Sequence, residues 1–189
     1  MADILVHCCC GPCATYSTQH LRDQGHRLTA LWYNPNIHPF QEHQRRLEAM
    51  QQFAAATNLD LIVEDGYDLV RYLRAVVGNE TDRCSQCFRI RLTHTAEVAK
   101  AKGFAAFTTT LLISPYQKHN LLRQTGEQVA QEVGVPFLYE DLRLGFADSR
   151  RLSKEHNLYR QQYCGCIFSE WERYGAADIR AEDKRLYPG

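Results

Sequence analysis

The sequence lacks an excess of charge of either sign and lacks any long hydrophobic run, and each lack excludes a class of protein. Lys plus Arg and Asp plus Glu number 22 each, so no global positive field favours nucleic-acid binding. No apolar run approaches the length of a membrane helix, and residues 1–6 contain Asp3 without a basic segment or signal-peptide core. With 44% hydrophobic and 23% charged residues, disorder is also excluded. We therefore expect a cytoplasmic chain that folds around one core.

Short apolar runs alternate with amphipathic stretches, which is typical of an α/β fold with a mostly parallel sheet and helices on both faces. Five runs are predicted to be buried strands, at residues 4–6, 28–32, 59–63, 105–108 and 137–139. Left-handed helix C-caps are expected before the next apolar run at Gly25, Asn58, Gly103 and Gly134. In such Rossmann-like sheets, ligands bind beyond the carboxyl ends of the strands.

The strand rhythm stops at Asp141, where short helical pieces rich in Arg and Tyr begin. These pieces include two further cysteines, and a polar tail follows them at residues 176–189. We therefore predict a single α/β catalytic domain at residues 1–175, with a short helical, cysteine-containing segment at its end and a separate tail.

Eight cysteines are many for a chain in a reducing compartment, and they indicate metal binding or redox chemistry before structural disulfides. Four of them directly follow the first strand, at Cys8, Cys9, Cys10 and Cys13. Gly11 permits a tight approach there, and Pro12 suits the first turn of a helix. A helix N-terminus stabilises thiolates, so this group is expected to ionise easily, with Cys8 only a small apolar filler.

Two more pairs of cysteines follow. Cys84 and Cys87 form a C-x-x-C in a predicted loop at residues 78–88, a spacing that lets both sulfurs reach one metal or cluster iron. Cys164 and Cys166 form a C-x-C, whose disulfide would be strained and easily reduced. This last pair suits a redox shuttle, and the alternative is that one of its thiols is a further metal ligand.

Two other functions fit parts of the pattern. Residues 10–13 spell the thioredoxin tetrapeptide, which indicates a dithiol oxidoreductase but leaves the downstream cysteines unexplained. Four thiolates also hold zinc as readily as iron, which fits a zinc-stapled RNA-binding module.

The chain resembles the QueH-type, cobalamin-independent epoxyqueuosine reductases. The resemblance covers residues 4 to about 169 in family order and rests on five blocks, at residues 7–13, 33–39, 84–87, 108–117 and 159–166. It implies a fold related to the nucleotide-alpha-hydrolase class and reduction of epoxyqueuosine to queuosine at the wobble position of transfer RNA.

The resemblance also implies a set of functional residues. A 4Fe-4S cluster is expected on Cys9, Cys10, Cys84 and Cys87. Cys164 and Cys166 are expected to be the redox-active pair, joined by a disulfide when oxidised. Cys13 is left beside the cluster, where it is expected to bind an adjacent mononuclear metal ion.

Converting an epoxide to an alkene consumes two electrons and two protons, so proton donors and an external electron donor are required. The candidate donors are Tyr33, His38, Asp141 and Tyr163, and the alternative for each is a structural polar group. Residues 34–39 contain two prolines and are expected to line the site rigidly. Residues 108–110 are three threonines, which suit either substrate binding or a β-strand.

A wobble base must be splayed out and held by aromatic and phosphate contacts. The predicted transfer-RNA surface is basic and interleaved with aromatic residues, at Arg143, Arg150, Arg151, Lys154 and Arg160. The alternative is a solvated basic helix face.

Overall fold

A computed structural model describes residues 1–64 and 66–175, and these residues form an α/β fold around a parallel sheet. The strands are β1 (Asp3–His7), β2 (Arg27–Trp32), β3 (Asp60–Val63) and β4 (Ala106–Thr109), in the spatial order β3-β2-β1-β4. All three strand pairings are parallel. The predicted fold class is confirmed, whereas the predicted tail at 176–189 lies outside the described residues.

The fifth predicted strand, at residues 137–139, was wrong. Phe137 makes only an isolated parallel bridge to Phe107, with the Phe107 amide donating to the Pro136 carbonyl and the Leu138 amide to the Phe107 carbonyl. Beyond this bridge the Thr108 hydroxyl, not a backbone amide, donates to the Leu138 carbonyl at 2.7 Å. The ladder therefore ends after one step, and the sheet has four strands.

Helices follow the strands as the sequence predicts. They are α1 (Gly11–Asp23), α2 (Phe40–Ala56), α3 (Leu69–Val76), α4 (Arg83–Lys102), α5 (His119–Val133), α6 (Phe146–Glu155) and α7 (Ile167–Tyr174). Short 3-10 helices at Glu80–Asp82, Thr110–Ile113 and Arg143–Gly145 precede α4, follow β4 and precede α6. All four predicted caps have positive φ, including the non-glycine Asn58 at 49°. Asn adopts a positive φ more readily than most other non-glycine residues do.

The central strand β1 directs its side chains alternately to two hydrophobic clusters, because successive residues of a strand face opposite sides. Leu5 packs in the cluster that contains Leu92 of α4 and Leu122 of α5. Ile4 packs in the cluster that contains Leu21 of α1 and Met50 of α2. Helices thus cover both faces, and the carboxyl edge of the sheet remains for the site. Within the described residues, no helix is both long and apolar enough to cross a membrane.

Candidate functional site

Three cysteines meet where β1 ends and α1 begins. The sulfur atoms of Cys9, Cys10 and Cys13 all lie within 4.8 Å of one another, and all three residues are buried. Cys10 is the N-cap of α1, and its sulfur accepts a hydrogen bond from the Cys13 amide at 3.5 Å. This arrangement is the predicted one, with the thiols at a helix N-terminus that favours anions. The buried group has the donor set of a soft-metal site.

The three thiols share their protons unequally. Hydrogen bonds from Cys10 and Cys13 lower the pKa of Cys9 well below its usual range, and the charge of Arg91 acts in the same direction. Burial raises the pKa of Cys10, and hydrogen bonding to Cys10 and Cys9 raises the pKa of Cys13. Without a metal, the favoured state has a thiolate on Cys9 and protonated thiols on Cys10 and Cys13. Binding of a metal to all three would release the two remaining protons.

Two polar side chains from distant parts of the chain orient these thiols. The Thr110 hydroxyl accepts from the Cys9 amide at 3.2 Å and donates to the Cys9 sulfur at 3.5 Å. The Gln161 amide nitrogen donates to the Cys10 sulfur at 3.0 Å and lies 3.7 Å from that of Cys13. Thr110 therefore contacts the cysteine group, a role that neither alternative for residues 108–110 included, whereas Thr108 and Thr109 are residues of β4.

Cys8 faces away from this group. Its thiol donates to the Val6 carbonyl at 3.4 Å, and the residue packs in the hydrophobic cluster on the α1 and α2 side of the sheet. Burial raises its pKa well above the usual range. Cys8 thus has the surroundings expected of an apolar filler.

The C-x-x-C does not lie in a loop as predicted, because α4 begins at Arg83 and includes both cysteines. Helical spacing of three residues keeps Cys84 and Cys87 on one face. Cys84 packs against the cluster that contains Cys9, Cys10 and Cys13, and Cys87 is buried beside Cys166. Burial raises the pKa of Cys87 to about 12.

Arg91 connects the two cysteine groups, and sequence reasoning had missed it. The residue is buried, and its guanidinium donates to the Cys87 sulfur at 3.8 Å, to His7 Nε2 at 3.2 Å and to Asn34 Oδ1 at 2.9 Å. No carboxylate of residues 1–64 or 66–175 lies within 4 Å of it. Its position four residues after Cys87, on the same helix face, was the available signal.

The His7 imidazole is a hydrogen-bonded neighbour of Arg91. His7 Nε2 lies 3.2 Å from the Arg91 guanidinium, which can only donate, and 3.2 Å from the Tyr33 carbonyl, which can only accept, while Nδ1 forms a hydrogen bond with the Thr109 hydroxyl at 2.9 Å. Burial and the Arg91 charge lower the pKa of His7 to about 3, so this ring is neutral at physiological pH.

The C-x-C segment is anchored to α2. Arg46 is buried, forms an ion pair with Glu42 at 2.7 Å, and donates to the carbonyls of Tyr163 at 3.0 Å and Cys164 at 2.9 Å. The Gln117 amide donates to the Cys164 sulfur at 3.3 Å. The segment is thus fixed by side chains from both sides of the site.

Cys166 begins α7 as its N-cap, with its sulfur accepting from the Ser169 amide at 3.4 Å. Cys164 is exposed and Cys166 is buried. All eight cysteines are free in the structure, so the predicted disulfide between Cys164 and Cys166 is not formed in it.

The candidate proton donors differ in protonation. Burial lowers the pKa of His38 to about 4, and hydrogen bonds from Arg143 lower that of Asp141 to about 2, so neither holds an acidic proton at neutral pH. Burial raises the pKa of both Tyr33 and Tyr163, which therefore keep their protons. The Tyr163 hydroxyl donates to the His38 carbonyl, and the Tyr33 hydroxyl is buried without a hydrogen-bond partner among the described residues.

The predicted RNA-binding cations are all exposed, but two of them are engaged. Arg143 pairs with Asp141 at 2.5 Å, and Arg151 pairs with Asp148 at 3.1 Å and Glu155 at 2.7 Å. Over the described part of the chain, no ion pair involves the other three, Arg150, Lys154 and Arg160. These three remain the free cations of that surface.

Most of this chain matches proteins of a known family. Residues 4–172 match the family model described as Epoxyqueuosine reductase QueH. The chain belongs to the QueH family of epoxyqueuosine reductases. The QueH relative from Dehalococcoides mccartyi is 46% identical over 172 residues, covering 91% of this chain and 94% of the relative. The one from Thermotoga maritima is 34% identical over 184 residues, covering 92% and 93%.

The fold has a counterpart among solved structures outside the QueH family. A crystal structure of a predicted subunit of tRNA methyltransferase from Methanocaldococcus jannaschii superposes with a TM-score of 0.57. The match covers 82% of this chain and 75% of that one at 11% identity, which shows a shared fold alone. Membership of the QueH family favours the reductase over the dithiol oxidoreductase and the zinc-stapled module.

The residues present fit a thiolate-bound metal group. Burying a guanidinium is costly unless an anion compensates it, and the groups around Arg91 that can become anionic are cysteine thiols. Thiolates at Cys9 and Cys87 would supply that compensation, and metal binding would keep both deprotonated. A buried Cys9, Cys10 and Cys13 group that can hold a metal is therefore part of this QueH chain.

Proposed function

We propose that this chain reduces epoxyqueuosine to queuosine in transfer RNA, at the cysteine groups on the carboxyl edge of its sheet. The observation that carries the proposal is the buried Arg91, which contacts Cys87, electrostatically favours the thiolate of Cys9 and forms no ion pair with a carboxylate of the described residues. A site built around an uncompensated cation suits an anionic, thiolate-bound redox group.

Within this proposal, Cys9, Cys10, Cys84 and Cys87 hold a 4Fe-4S cluster, and Cys13 binds an adjacent metal ion. Support comes from the packing of Cys84 against the hydrophobic cluster that includes Cys9, Cys10 and Cys13, and from the position of Arg91 beside Cys87. When bound, the cluster would supply electrons singly, and a metal ion held by Cys13 would supply Lewis-acid polarisation of the epoxide oxygen.

The protein side chains supply protons and orientation. Thr110 and Gln161 hold the sulfurs in place, and Tyr33 and Tyr163 are the candidate donors that retain their protons at neutral pH. Reduction of the epoxide to an alkene takes up two electrons and two protons and releases the oxygen as water.

Cys164 and Cys166 can supply the electrons and protons that this reaction consumes. Oxidation of their two thiols to a disulfide releases two electrons and two protons, which is what the epoxide consumes. An external electron donor then reduces the disulfide, whose C-x-C ring is small and easily opened. The exposure of Cys164 suits such exchange.

The first experiment is anaerobic purification followed by iron and sulfide analysis and single turnover on transfer RNA that carries epoxyqueuosine. We expect visible absorption that dithionite bleaches, and conversion to queuosine. Cys84→Ser and Cys87→Ser should lose iron, while Cys8→Ala, with its thiol on the other face, should retain it. A colourless zinc protein, or full iron in the two Ser variants, would contradict the cluster assignment.

A second pair of variants separates the shuttle from the ligands. Cys164→Ser and Cys166→Ser should keep parental iron and sulfide but lose turnover with the external donor. Loss of iron in either variant would place that cysteine among the metal ligands instead.

A further inference from the structure

Tyr116 is an exposed aromatic residue beside the site. Its side chain belongs to the loop that follows the 3-10 helix at the carboxyl end of β4, and the residue is 84% exposed. The loop is ordered by a turn, because the Tyr116 amide donates to the Ser114 hydroxyl at 3.3 Å and the Gln117 amide to the Ser114 carbonyl at 3.3 Å. Phe146 meets the Tyr116 ring almost perpendicularly, at 5.8 Å between centroids. The ring is therefore supported and still open to solvent.

The next two residues connect this ring to the cysteines. The Gln117 side chain donates to the Cys164 sulfur at 3.3 Å. Lys118 begins α5 as its N-cap residue, and its positive charge acts on the Cys84 thiol. Lys118 is exposed and joins no ion pair within residues 1–64 and 66–175. An open aromatic face and a free cation thus stand on either side of a residue that touches Cys164.

We propose that Tyr116 and Lys118 form a docking rim for the anticodon loop, where the Tyr116 ring stacks on a nucleobase that flanks the epoxide-bearing nucleotide and Lys118 contacts a phosphate. The inference rests on the proposed function and adds the surface that positions its substrate. Single-stranded nucleic acids are held by this pairing of aromatic platforms with cations. Tyr116 and Lys118 flank Gln117, which contacts Cys164. If one nucleotide binds near Cys164, the nucleotides adjacent to it can therefore contact Tyr116 and Lys118. The chain has no net charge, so such local contacts must supply the affinity.

The test uses the metal-loaded protein and an anticodon stem-loop RNA with 2-aminopurine next to the wobble position. Tyr116→Ala should bind about tenfold more weakly and lose the fluorescence change that stacking produces, whereas Tyr116→Phe should keep both. Lys118→Ala should reduce the salt dependence of binding by about one unit of slope. Lys102→Ala is the matched control, because Lys102 ends α4, directly before β4 begins at the opposite edge of the sheet.

The outcomes separate this inference from the proposed function. Parental affinity and fluorescence in Tyr116→Ala, with intact iron and intact reduction of transfer RNA by the parent, would overturn the docking rim alone. A Tyr116→Ala defect confined to reactions driven by a protein electron donor would also overturn it and assign the rim to that donor. Failure of the parent to bind or reduce any transfer RNA would overturn the proposed function and the rim together.

Discussion

At the residue scale, Arg91 places a permanent positive charge between the two cysteine groups. Arginine stays protonated at any accessible pH, so the thiols beside it experience this charge in every state of the site. Three neutral or ionisable neighbours, Asn34, His7 and Cys87, take its hydrogen bonds. The charge should therefore favour any state of the site that carries more negative charge, including the reduced one.

Replacing Arg91 with Met should lower the midpoint potential of the bound metal group, because an added electron loses a stabilising cation. At an effective dielectric constant of about 20 and a separation of roughly 8 Å, the loss is about 2 kcal/mol, or about 90 mV for one electron. Arg91→Lys keeps the charge and should restore most of the potential. Anaerobic redox titration followed by electron paramagnetic resonance measures the shift. An Arg91→Met protein with full iron and the parental potential would refute this role.

His38 should make stability depend on pH. The ring is 1% exposed and packs against Tyr72 at 5.1 Å and Tyr67 at 5.7 Å between ring centroids. Burial lowers its pKa to about 4, whereas the unfolded chain takes up the proton near 6.5. Between these values the unfolded state binds more protons, so the free energy of unfolding falls as the pH falls.

The His38→Phe variant, which cannot be protonated, should lose part of this dependence. The drop in the free energy of unfolding from pH 7 to pH 5 should shrink by about 2 kcal/mol, since this group contributes about 1.4 kcal/mol per pH unit below 6.5. Urea unfolding of parent and variant under anaerobic conditions at both pH values gives the comparison. An unchanged drop would mean that folding does not depress the pKa of His38.

At the element scale, three helices direct their N-termini to the cysteines. Cys10 caps α1, Cys84 lies in the first turn of α4, and Cys166 caps α7. Each N-terminus carries partial positive charge and unpaired amides that stabilise thiolates. The start of α1 packs so closely against α2 that position 11 has no room for a side chain. A Cβ atom on Gly11 would lie 2.5 Å from the Ala49 carbonyl oxygen.

Gly11→Ala should therefore push the start of α1 away from α2 and disturb Cys10 and Cys13. The obstacle is backbone and cannot rotate away, so we expect a loss of about 1–3 kcal/mol in stability together with reduced metal content. Gly66→Ala is the matched control, because a Cβ atom there meets nothing within 4 Å. Thermal unfolding and iron analysis of both variants test the prediction. Parental metal content in Gly11→Ala would show that α1 accommodates the methyl group.

At the scale of the whole molecule, local patterns predicted the elements better than they predicted the site. The Asn58 and Gly103 caps follow from short-range sequence, and so does the position of Cys10 at a helix start. The contact of Cys9 with Thr110 spans 101 residues and the contact of Cys10 with Gln161 spans 151, so no spacing rule indicates them. The strand predicted at 137–139 failed for a related reason, because a side chain of β4 takes the carbonyl that a ladder would use.

The cations of α6 should contribute unequally to binding of transfer RNA. Arg150 and Lys154 have no ion pair within the described residues, whereas Arg151 must give up Asp148 and Glu155 to reach a phosphate. The double variant Arg150→Ala with Lys154→Ala should lower the salt slope of binding by up to about two, and Arg151→Ala by less than about one. Affinities measured over a series of salt concentrations give the slopes. Equal slopes in all three proteins would show that α6 is only a solvated face.

The pairing of β1 with β4 bears on when during folding the cysteine group can form. His7 pairs with Thr109 in the register of the sheet, and their side chains join residues 102 positions apart. Closing so long a loop is entropically expensive, and chains fold more slowly when their contacts join residues far apart in sequence. Thr110 reaches Cys9 only when this pairing is complete. We therefore expect the cysteine group to be complete only after β1 and β4 have paired, so that metal loads onto a nearly folded molecule and not onto an early intermediate.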